Sequence, residues 1–429
     1  MEIFERLESN VRAYCRVAPA VFDTARNACQ FDEAGKQYID FFAGAGVLNF
    51  GHNNPKMKQA LIDYISKDGV THSLDMYTTA KREFMQAFDE IILRPRQLEY
   101  KMQFTGPTGT NCVEAALKLA RKITGRRMVV AFTDGFHGMT LGALACTGNQ
   151  LFRNAAGVPL QDVMRVPYDG YLGSGIDTLE ILKRQFDDPS SGITPPAAFL
   201  VETIQAEGGV NIASQEWLLA LQAMARKHGS LLIVDDIQVG CGRTGTYFSF
   251  ESIGLEPDLV CLAKGIGGFG TPLALLLIKP EYDQWKPGEH TGTFRGQDLS
   301  FVAGTQALRF FENDELLKSV RKKGEIIRQK LEQIVNQHDD NFCNESACRC
   351  PGNNRMRYRG KGMIYGLCIG DGKKAAAICK SAFENGLLIA GCGPEGRILK
   401  LIPPLTIEND ILEQGLELFE KSVNAGLIA

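Results

Sequence analysis

The sequence predicts an α/β protein with a mostly parallel central sheet and helices on both faces of that sheet. Two apolar runs, Leu231–Val234 and Leu259–Ala263, lack polar alternation, which is typical of strands buried on both faces. Strand-like segments at 197–201 and 230–237 flank a helical segment around 214–227. A strand, a helix and a second strand in this order are typical of parallel sheets.

Length and composition restrict the class of protein. A chain of 429 residues exceeds the usual size of a single core, so we expect more than one domain. With 44% hydrophobic and 23% charged residues, the composition is that of a globular enzyme. The net charge of −3 and the lack of a long basic run argue against nucleic acid as a partner. No apolar stretch reaches membrane-span length and the first residues do not resemble a signal peptide, so we expect a cytoplasmic protein that does not bind membranes.

The twelve cysteines are scattered without paired spacing, which predicts reduced thiols in a cytoplasm. One cluster, formed by Cys343, Cys348 and Cys350, has the ligand type of a metal site. It has no second cysteine pair at zinc-ligand spacing, and His338 is the only nearby histidine. We therefore interpret residues 339–357 as a variable surface loop of unknown purpose and expect no metal.

Along the chain, turn residues and hydrophobic periodicity predict most of the elements. Residues 1–30 begin as helix and then become irregular, and residues 31–40 have the pattern of a β-hairpin. A glycine- and alanine-rich passage at 42–52 would let the backbone approach a ligand closely. The remaining elements are two helices in 55–92, an amphipathic helix at 112–121, a strand at 128–132, a strand at 273–278, helices in 301–336, strands near 363–368, 387–390 and 397–402, and a final helix.

Charged residues end the two apolar runs. Asp235 and Asp236 follow the first run, and Lys264 follows the second. Ligands of α/β sheets bind at the carboxyl ends of the strands, so these groups should face one crevice. A lysine that holds an aldehyde as a Schiff base, and an acid that keeps a pyridine nitrogen protonated, are what pyridoxal phosphate requires. Either residue alone would fit a structural ion pair equally well.

Two further segments have the residue types of a phosphorylated, planar cofactor's site. Thr108-Gly109-Thr110 precedes the amphipathic helix, whose first amides and positive dipole end would bind a phosphate. An ordinary capped helix has the same pattern. Phe136 follows the strand at 128–132 and would stack on a planar ring, or belong to the core.

The segment after Lys264 matches a dinucleotide-binding fingerprint, Gly-Ile-Gly-Gly-Phe-Gly at 265–270. That fingerprint must open a helix and be followed by an acidic residue about twenty positions later. Here Pro272 and an apolar strand follow instead. We therefore reject dinucleotide binding and interpret these glycines as space in which the lysine moves.

Taken together, these segments resemble the class III pyridoxal-phosphate-dependent aminotransferases over essentially the whole chain. The resemblance implies fold type I, with a large cofactor-binding domain at 55–310 and a smaller α/β domain built from both termini, 1–54 and 311–429. It implies pyridoxal 5′-phosphate as cofactor and a homodimer with shared active sites, since Thr293 would reach the neighbouring subunit's cofactor; whether dimers pair further stays open. The implied catalytic residues are Lys264 and Asp235, and the implied cofactor contacts are Gly109, Thr110, Phe136, His137, Glu202, Asp235, Gln238, Lys264 and Thr293.

Departures from the ornithine and acetylornithine members concern the substrate. Ala45 stands where they have tyrosine, and Met139 and Lys400 stand where they have arginine. Lysine cannot reproduce the two-pronged grip of arginine on a carboxylate. We expect Lys400 and Arg295 to bind carboxylates, and Glu207 to pair with Lys400 or accept a substrate ammonium.

The same departures are similar to the diaminobutyrate–2-oxoglutarate branch of the family, which begins ectoine synthesis. This branch implies transfer of an amino group between L-glutamate and the terminal carbon of L-aspartate 4-semialdehyde, with Ala45, Glu207, Arg295 and Lys400 at the substrate. The alternatives within the fold are another ω-amine (4-aminobutyrate, ornithine, acetylornithine or a polyamine) and an aminomutase. A cofactor-binding regulator without catalytic activity is the alternative from another class.

Overall fold

A computed structural model of the chain describes residues 2–173, 175–338 and 358–428. The cysteine cluster at positions 343, 348 and 350 lies outside these residues. The strands are β1 (Phe22–Arg26), β2 (Cys29–Asp32), β3 (Gln37–Asp40), β4 (Lys101–Phe104), β5 (Val129–Phe132), β6 (Val163–Val166), β7 (Ala198–Val201), β8 (Ile204–Gln205), β9 (Asn211–Ile212), β10 (Leu231–Asp235), β11 (Leu259–Leu262), β12 (Leu275–Ile278), β13 (Tyr358–Lys361), β14 (Ile364–Cys368), β15 (Leu387–Leu388), β16 (Ala390–Cys392) and β17 (Ile398–Leu401).

Helices surround and connect these strands. The α-helical segments are α1 (Glu2–Leu7), α2 (Tyr14–Val17), α3 (Ala43–Gly46, a left-handed turn), α4 (Pro55–Ser66), α5 (Thr79–Ala87), α6 (Gly109–Thr124), α7 (Leu141–Cys146), α8 (Gln150–Asn154), α9 (Glu180–Asp187), α10 (Gln215–His228), α11 (Asp298–Leu308), α12 (Glu315–Gln337), α13 (Gly372–Glu384) and α14 (Asn409–Ile428). The short 3-10 or π turns are Phe88–Leu93, Arg94–Arg96, Glu251–Ile253, Lys264–Gly267, Pro280–Tyr282, Arg309–Phe311 and Pro394–Gly396.

The large sheet positions the site. Within the described ranges it has seven strands in the order β4-β12-β11-β10-β7-β5-β6. β10 is parallel to both β7 and β11, whereas β12 is antiparallel to β11 and β4. Every residue of β10 and β11 is buried, because helices cover the sheet and exclude water from both faces. The predicted mostly parallel sheet is therefore confirmed.

Both ends of the chain contribute to a smaller sheet. Its order is β1-β2-β3-β15, and β15 pairs in parallel with β3 although more than three hundred residues separate them in sequence. A second small sheet, β13-β14-β17-β16, comes entirely from the C-terminal part. The domain limits at 54 and 310 stay a prediction.

Most predicted elements are present, with shifted ends. β2 and β3 pair in antiparallel fashion, which confirms the hairpin. The first thirty residues are more regular than expected, since they contain β1, which pairs with β2. The strand expected at 273–278 begins at Leu275, and the one near 387–390 divides into β15 and β16. In the described part of the chain, none of the helices combines the length and apolarity needed to span a bilayer.

Candidate active site

Lys264 and Asp235 lie at neighbouring strand ends of the large sheet. Asp235 is the last residue of β10 and pairs in register with Cys261 of β11. Lys264 follows β11 by two residues and has a φ of 54°, a left-handed conformation that turns the chain away from the sheet. Because parallel neighbours end at the same edge, both side chains line one cavity of about 230 Å³.

The cavity contains most of the residues that the sequence assigned to the cofactor. Lys400 and Ala45 do not line it directly, but each contacts a residue that does. The predicted residues that line it are Gly109, Thr110, Phe136, His137, Glu202, Glu207, Asp235, Gln238 and Lys264.

Asp235 is held on both of its oxygens. His137 Nδ1 lies 2.8 Å from Asp235 Oδ2, and the backbone N–H of Ile237 donates to Oδ1 at 3.2 Å. Asp235 and His137 are both buried. The imidazole orients the Asp235 carboxylate in a site from which water is largely excluded. In such a site the carboxylate would interact strongly with a positively charged ligand.

The pKa of the Lys264 amine lies close to neutral pH. Burial lowers the pKa of Lys264 to about 8; the carboxylate of Glu207 opposes this shift and the charge of Lys400 adds to it. A lysine with a pKa near 8 is partly neutral at physiological pH. It can therefore act as a nucleophile and as a general base.

The other end of the cavity is open to an anion. The N-cap residue of α6, Thr108, makes no side-chain capping hydrogen bond, so its hydroxyl does not compete for the first amides of the helix. A Cβ atom on Gly109 would lie 2.9 Å from Ile237 Cδ1, and one on Gly138 would lie 2.3 Å from Thr110 Oγ1. A side chain at either position would collide with its neighbours, so the close packing around the start of α6 requires glycine. The first amides of α6 are the groups that would bind a phosphate.

Glu202 lies beneath the loop of the candidate stacking aromatic. Its Oε2 accepts a hydrogen bond from the backbone N–H of Phe136 at 3.1 Å. Burial, and next the negative charge of Asp235, raise the pKa of Glu202 well above its usual value. The carboxyl group of Glu202 thus supports the Phe136 loop from a site that disfavours a second negative charge beside Asp235.

A second group of polar residues lies at the substrate side. Lys400 Nζ donates to Glu207 Oε1 and, at 3.1 Å, to Gln238 Oε1. Gln238 Nε2 donates to the carbonyl of Ala45 at 2.7 Å and to Glu207 Oε1 at 3.0 Å. The four residues therefore form one network, which we call the Glu207–Lys400 network.

Both members of the central ion pair are charged. Burial opposes ionisation of Glu207, but the charges of Lys400 and Lys264 and the hydrogen bonds from Lys400 and Gln238 lower its pKa to about 2. Burial disfavours the charged form of Lys400, yet Glu207 and its hydrogen bond raise the pKa of Lys400 above its usual value. Separation of a buried pair of this kind leaves an uncompensated charge and is therefore costly.

The structure places the remaining predicted residues elsewhere. Thr293 is exposed on the segment between β12 and α11 and does not line the cavity. Arg295 Nη2 donates to the carbonyl of Thr291 at 2.7 Å, and its guanidinium lines a separate cavity with Lys81 and Trp285. A single chain does not bring either residue to Lys264.

Sequence reasoning missed Tyr14 on α2. Tyr14 is 63% exposed, yet desolvation and, next, the charge of Glu207 raise the pKa of its phenol, while the charge of Lys400 opposes this shift. The ring also contacts Phe42, with 5.2 Å between the ring centroids. No motif near residue 14 indicates this position, because only the folded chain brings it toward residue 207.

The residues present fit pyridoxal phosphate. The cavity contains an amine of lowered pKa, a buried carboxylate, an aromatic side chain and open helix-terminal amides, which match the aldehyde, the ring nitrogen, the ring face and the phosphate. Among the described residues, no cluster of three His, Cys, Asp or Glu side chains could hold a metal ion.

Comparison with known proteins decides the family. The model of the family Aminotransferase class-III matches residues 12–423. The chain belongs to the class III aminotransferases. It is a pyridoxal-phosphate-dependent aminotransferase, as the resemblance implied.

Several relatives cover almost the whole chain. It is 50% identical to a diaminobutyrate--2-oxoglutarate transaminase of Sporosarcina pasteurii, over 98% of this chain and 96% of the relative. A transaminase of the same name from Nocardia farcinica is 51% identical, over 98% and 94%. An aminotransferase of Sinorhizobium fredii whose name gives no substrate is 53% identical, over 99% and 92%.

Solved structures agree on the fold. The ornithine aminotransferase of Toxoplasma gondii matches with a TM-score of 0.83 and 24% identity, over 99% of this chain and 94% of the other. The acetylornithine aminotransferase of Elizabethkingia anophelis matches with a TM-score of 0.77 and 25% identity, over 99% and 98%. The expected fold type I is confirmed.

Proposed function

We propose that this enzyme transfers an amino group between L-glutamate and the terminal carbon of L-aspartate 4-semialdehyde, yielding 2-oxoglutarate and L-2,4-diaminobutyrate. The observation that carries the proposal is the Glu207–Lys400 network at the substrate side of the Lys264 cavity. The names of relatives about 50% identical to this chain give the same pair of substrates.

The network suits the two substrates for electrostatic reasons. Diaminobutyrate carries an ammonium and a carboxylate on the carbon distant from the reacting amine, and Glu207 and Lys400 present the complementary charges. Glutamate presents a carboxylate at that position instead. If Glu207 turns away, Lys400 becomes a free buried cation that binds the carboxylate.

In this proposal pyridoxal phosphate supplies the aldehyde that carries the amine and a ring that withdraws electrons. Lys264 would hold the aldehyde through Nζ, Asp235 would face the ring nitrogen, and the amides of Gly109 and Thr110 would bind the phosphate. Once the substrate amine has displaced Nζ from the aldehyde, the freed Lys264 amine would take the proton from the carbon that bears the substrate nitrogen and later return a proton. The buried Asp235 carboxylate would keep the ring nitrogen protonated, so that the ring can accept electrons.

We further propose a homodimer in which Thr293 completes the partner's site, working in the cytoplasm and supplying diaminobutyrate to ectoine synthesis. Support for the dimer comes from exposed apolar side chains near Thr293 in the fold and in the sequence. Phe294 is 54% exposed and contacts His72, and Met76 and Tyr77 are 59% and 102% exposed. We also propose the division into domains at 1–54, 55–310 and 311–429. The parallel pairing of β3 with β15 joins the two ends of the chain and supports this division.

The test uses the purified enzyme loaded with pyridoxal phosphate. With glutamate alone, we expect a change in the cofactor's visible absorbance and one equivalent of 2-oxoglutarate. Addition of aspartate 4-semialdehyde should then restore the absorbance and yield diaminobutyrate, identified by mass spectrometry. A protein that binds the cofactor without either change would be a regulator.

A panel of amines tests the competing substrate. Another ω-amine is the second candidate, because the solved structure that is 25% identical to this chain is named an acetylornithine aminotransferase. We expect kcat/KM for diaminobutyrate to exceed the values for ornithine, acetylornithine, 4-aminobutyrate and putrescine by about tenfold or more. A higher value for any of these four amines would contradict the proposed substrate. Product formation without a keto-acid acceptor would indicate an aminomutase.

A further inference from the structure

The segment before the substrate network has an unusual backbone. Four successive residues of α3 have positive φ: Ala43 (47°), Gly44 (57°), Ala45 (57°) and Gly46 (88°). Residues with a side chain avoid this left-handed region, and consecutive residues in it are rarer still. Such a turn persists only where surrounding contacts determine it.

Asp40 supplies those contacts on one side. Its Oδ1 accepts hydrogen bonds from the backbone N–H groups of Phe42 at 2.8 Å and Ala43 at 2.7 Å. Its Oδ2 lies 2.9 Å from His52 Nε2 and accepts from Gln30 Nε2 at 3.1 Å. The Asp40 side chain is completely buried. Oδ1 therefore fixes the entry into the left-handed turn, and the contacts of Oδ2 with His52 and Gln30 hold the carboxylate in place.

The other side of the turn contacts the substrate network. The carbonyl of Ala45 accepts the hydrogen bond from Gln238 Nε2 at 2.7 Å, and a Cβ on Gly46 would lie 3.4 Å from Gln238 Cγ. In addition, the carbonyl of Phe41 accepts from the backbone N–H of Ile402 at 2.9 Å, two residues after Lys400. The turn thus contacts the network through the Ala45 carbonyl, and the residue Phe41 before the turn is joined to the chain just after Lys400.

We propose that Asp40 is a positioning residue that orients Gln238, and through it the Glu207–Lys400 network, for substrate binding. Asp40 fixes the turn, the turn directs the Ala45 carbonyl, and that carbonyl selects the orientation of the Gln238 amide. With its N–H donated to Ala45, Gln238 presents its oxygen to Lys400 at 3.1 Å. The substrate part of the inference rests on the proposed function; the part concerning Gln238 can be tested on cofactor binding alone.

The first variant is Asp40→Asn. Asparagine has nearly the same shape, but its NH₂ group would face donors from His52 and Gln30, or from the turn. We expect the KM for glutamate to rise about tenfold or more with a smaller change in kcat, because the binding network loses its orientation while Lys264 keeps its place. His52→Ala removes one of the four contacts of Asp40 and should raise the KM for glutamate by a smaller factor. This variant replaces Asp40→Asn in the test if Asp40→Asn does not fold.

Asp32→Asn is the matched control. Asp32 also accepts two backbone N–H groups, from Ala34 at 3.0 Å and Lys36 at 2.9 Å, and a side-chain donor, Tyr38 Oη at 3.0 Å. It lies in the same small sheet, but its contacts stabilise the β2–β3 turn and not the cavity. Its variant should lower the melting temperature and leave KM unchanged.

A double-mutant cycle tests whether Asp40 acts through Gln238. In the Gln238→Ala background, Asp40→Asn should add little to the loss, in both KM for glutamate and the dissociation constant of pyridoxal phosphate. The inference would be overturned if the losses caused by Asp40→Asn and Gln238→Ala multiplied fully in the double variant. It would also be overturned if Asp40→Asn, like the Asp32→Asn control, lowered stability and left KM unchanged. If the unmodified enzyme does not react with glutamate, the proposed function fails, and the cofactor dissociation constants still decide the role of Asp40.

Discussion

The two ends of the active-site cavity are built differently. The cofactor end uses Asp235 at the end of β10, Lys264 two residues after β11, and the turn at 108–110 that opens α6, a helix that packs on the large sheet. The substrate end joins four residues from different parts of the fold. They are Gln238 after β10 of the large sheet, Glu207 between β8 and β9, Lys400 in β17 and Ala45 in the N-terminal segment. The chemistry thus lies on one rigid framework, and the substrate contacts lie where several parts of the chain meet. Substrate preference can therefore change without loss of the cofactor.

Replacement of Lys264 should give the largest effect. We expect Lys264→Ala to lower turnover with glutamate by on the order of 10³-fold or more and to remove the visible absorbance of the bound cofactor, because nucleophile and base are lost together. Lys279→Ala is the control. Lys279 also follows a strand, but it pairs with Asp258 at 3.0 Å and should be dispensable. Normal turnover by Lys264→Ala would refute the assignment of the cofactor end.

Asp235→Asn should have the second largest effect on the reaction. The amide keeps the shape but not the charge, so we expect the cofactor to stay bound while the glutamate half-reaction slows by roughly 10²- to 10³-fold, measured by stopped-flow absorbance. Asp236→Asn is the matched neighbour. Burial raises the pKa of Asp236 to about 7, so its carboxyl is already partly neutral, and its variant should react at nearly the normal rate. Equal rates for the two variants would remove the distinction between these adjacent acids.

Lys400→Met should weaken substrate binding without loss of the cofactor. Loss of a charged hydrogen-bond donor costs about 1.5 to 3 kcal/mol, so we expect the KM for glutamate to rise about 10- to 100-fold. The cofactor's absorbance should be retained, since Lys264 and Asp235 are untouched. Lys400→Arg keeps the charge and should bind glutamate more tightly than Lys400→Met. A variant that loses the cofactor as readily as substrate would show that the two ends are not independent.

A pH titration should reveal a smaller coupling between the ends. Because the pKa of Lys264 is about 8, capture of pyridoxal phosphate by the cofactor-free protein should accelerate with rising pH and level off above a midpoint near 8. In Lys400→Met the midpoint should move upward by roughly one unit, because a positive neighbour disappears and Glu207 is released to attract the ammonium. A downward shift of the midpoint in Lys400→Met would contradict this coupling. So would a midpoint in the unmodified protein near the pKa of an ordinary lysine.

The sequence predicted the cofactor end better than the substrate end, for a physical reason. Apolar runs that end in Asp235 and Lys264 reflect burial and strand order, which are local patterns with a fixed geometric outcome. The hydrogen bond between Gln238 and the Ala45 carbonyl depends on a left-handed turn held by Asp40, and no sequence pattern indicates it. Likewise, the location of Tyr14 near Glu207 results from tertiary packing. The family resemblance offered an ion pair with Lys400 as one of two roles for Glu207, but it did not predict that Gln238 would join that pair.

The central claim is that Lys264, and not the neighbouring Lys400, carries the cofactor. Borohydride reduction of the loaded enzyme, followed by proteolysis and mass spectrometry, fixes the cofactor to its lysine and identifies that residue. We expect the added mass on the peptide that contains Lys264 and its absence from the Lys264→Ala protein. Added mass on the peptide containing Lys400, or on no lysine at all, would contradict the account.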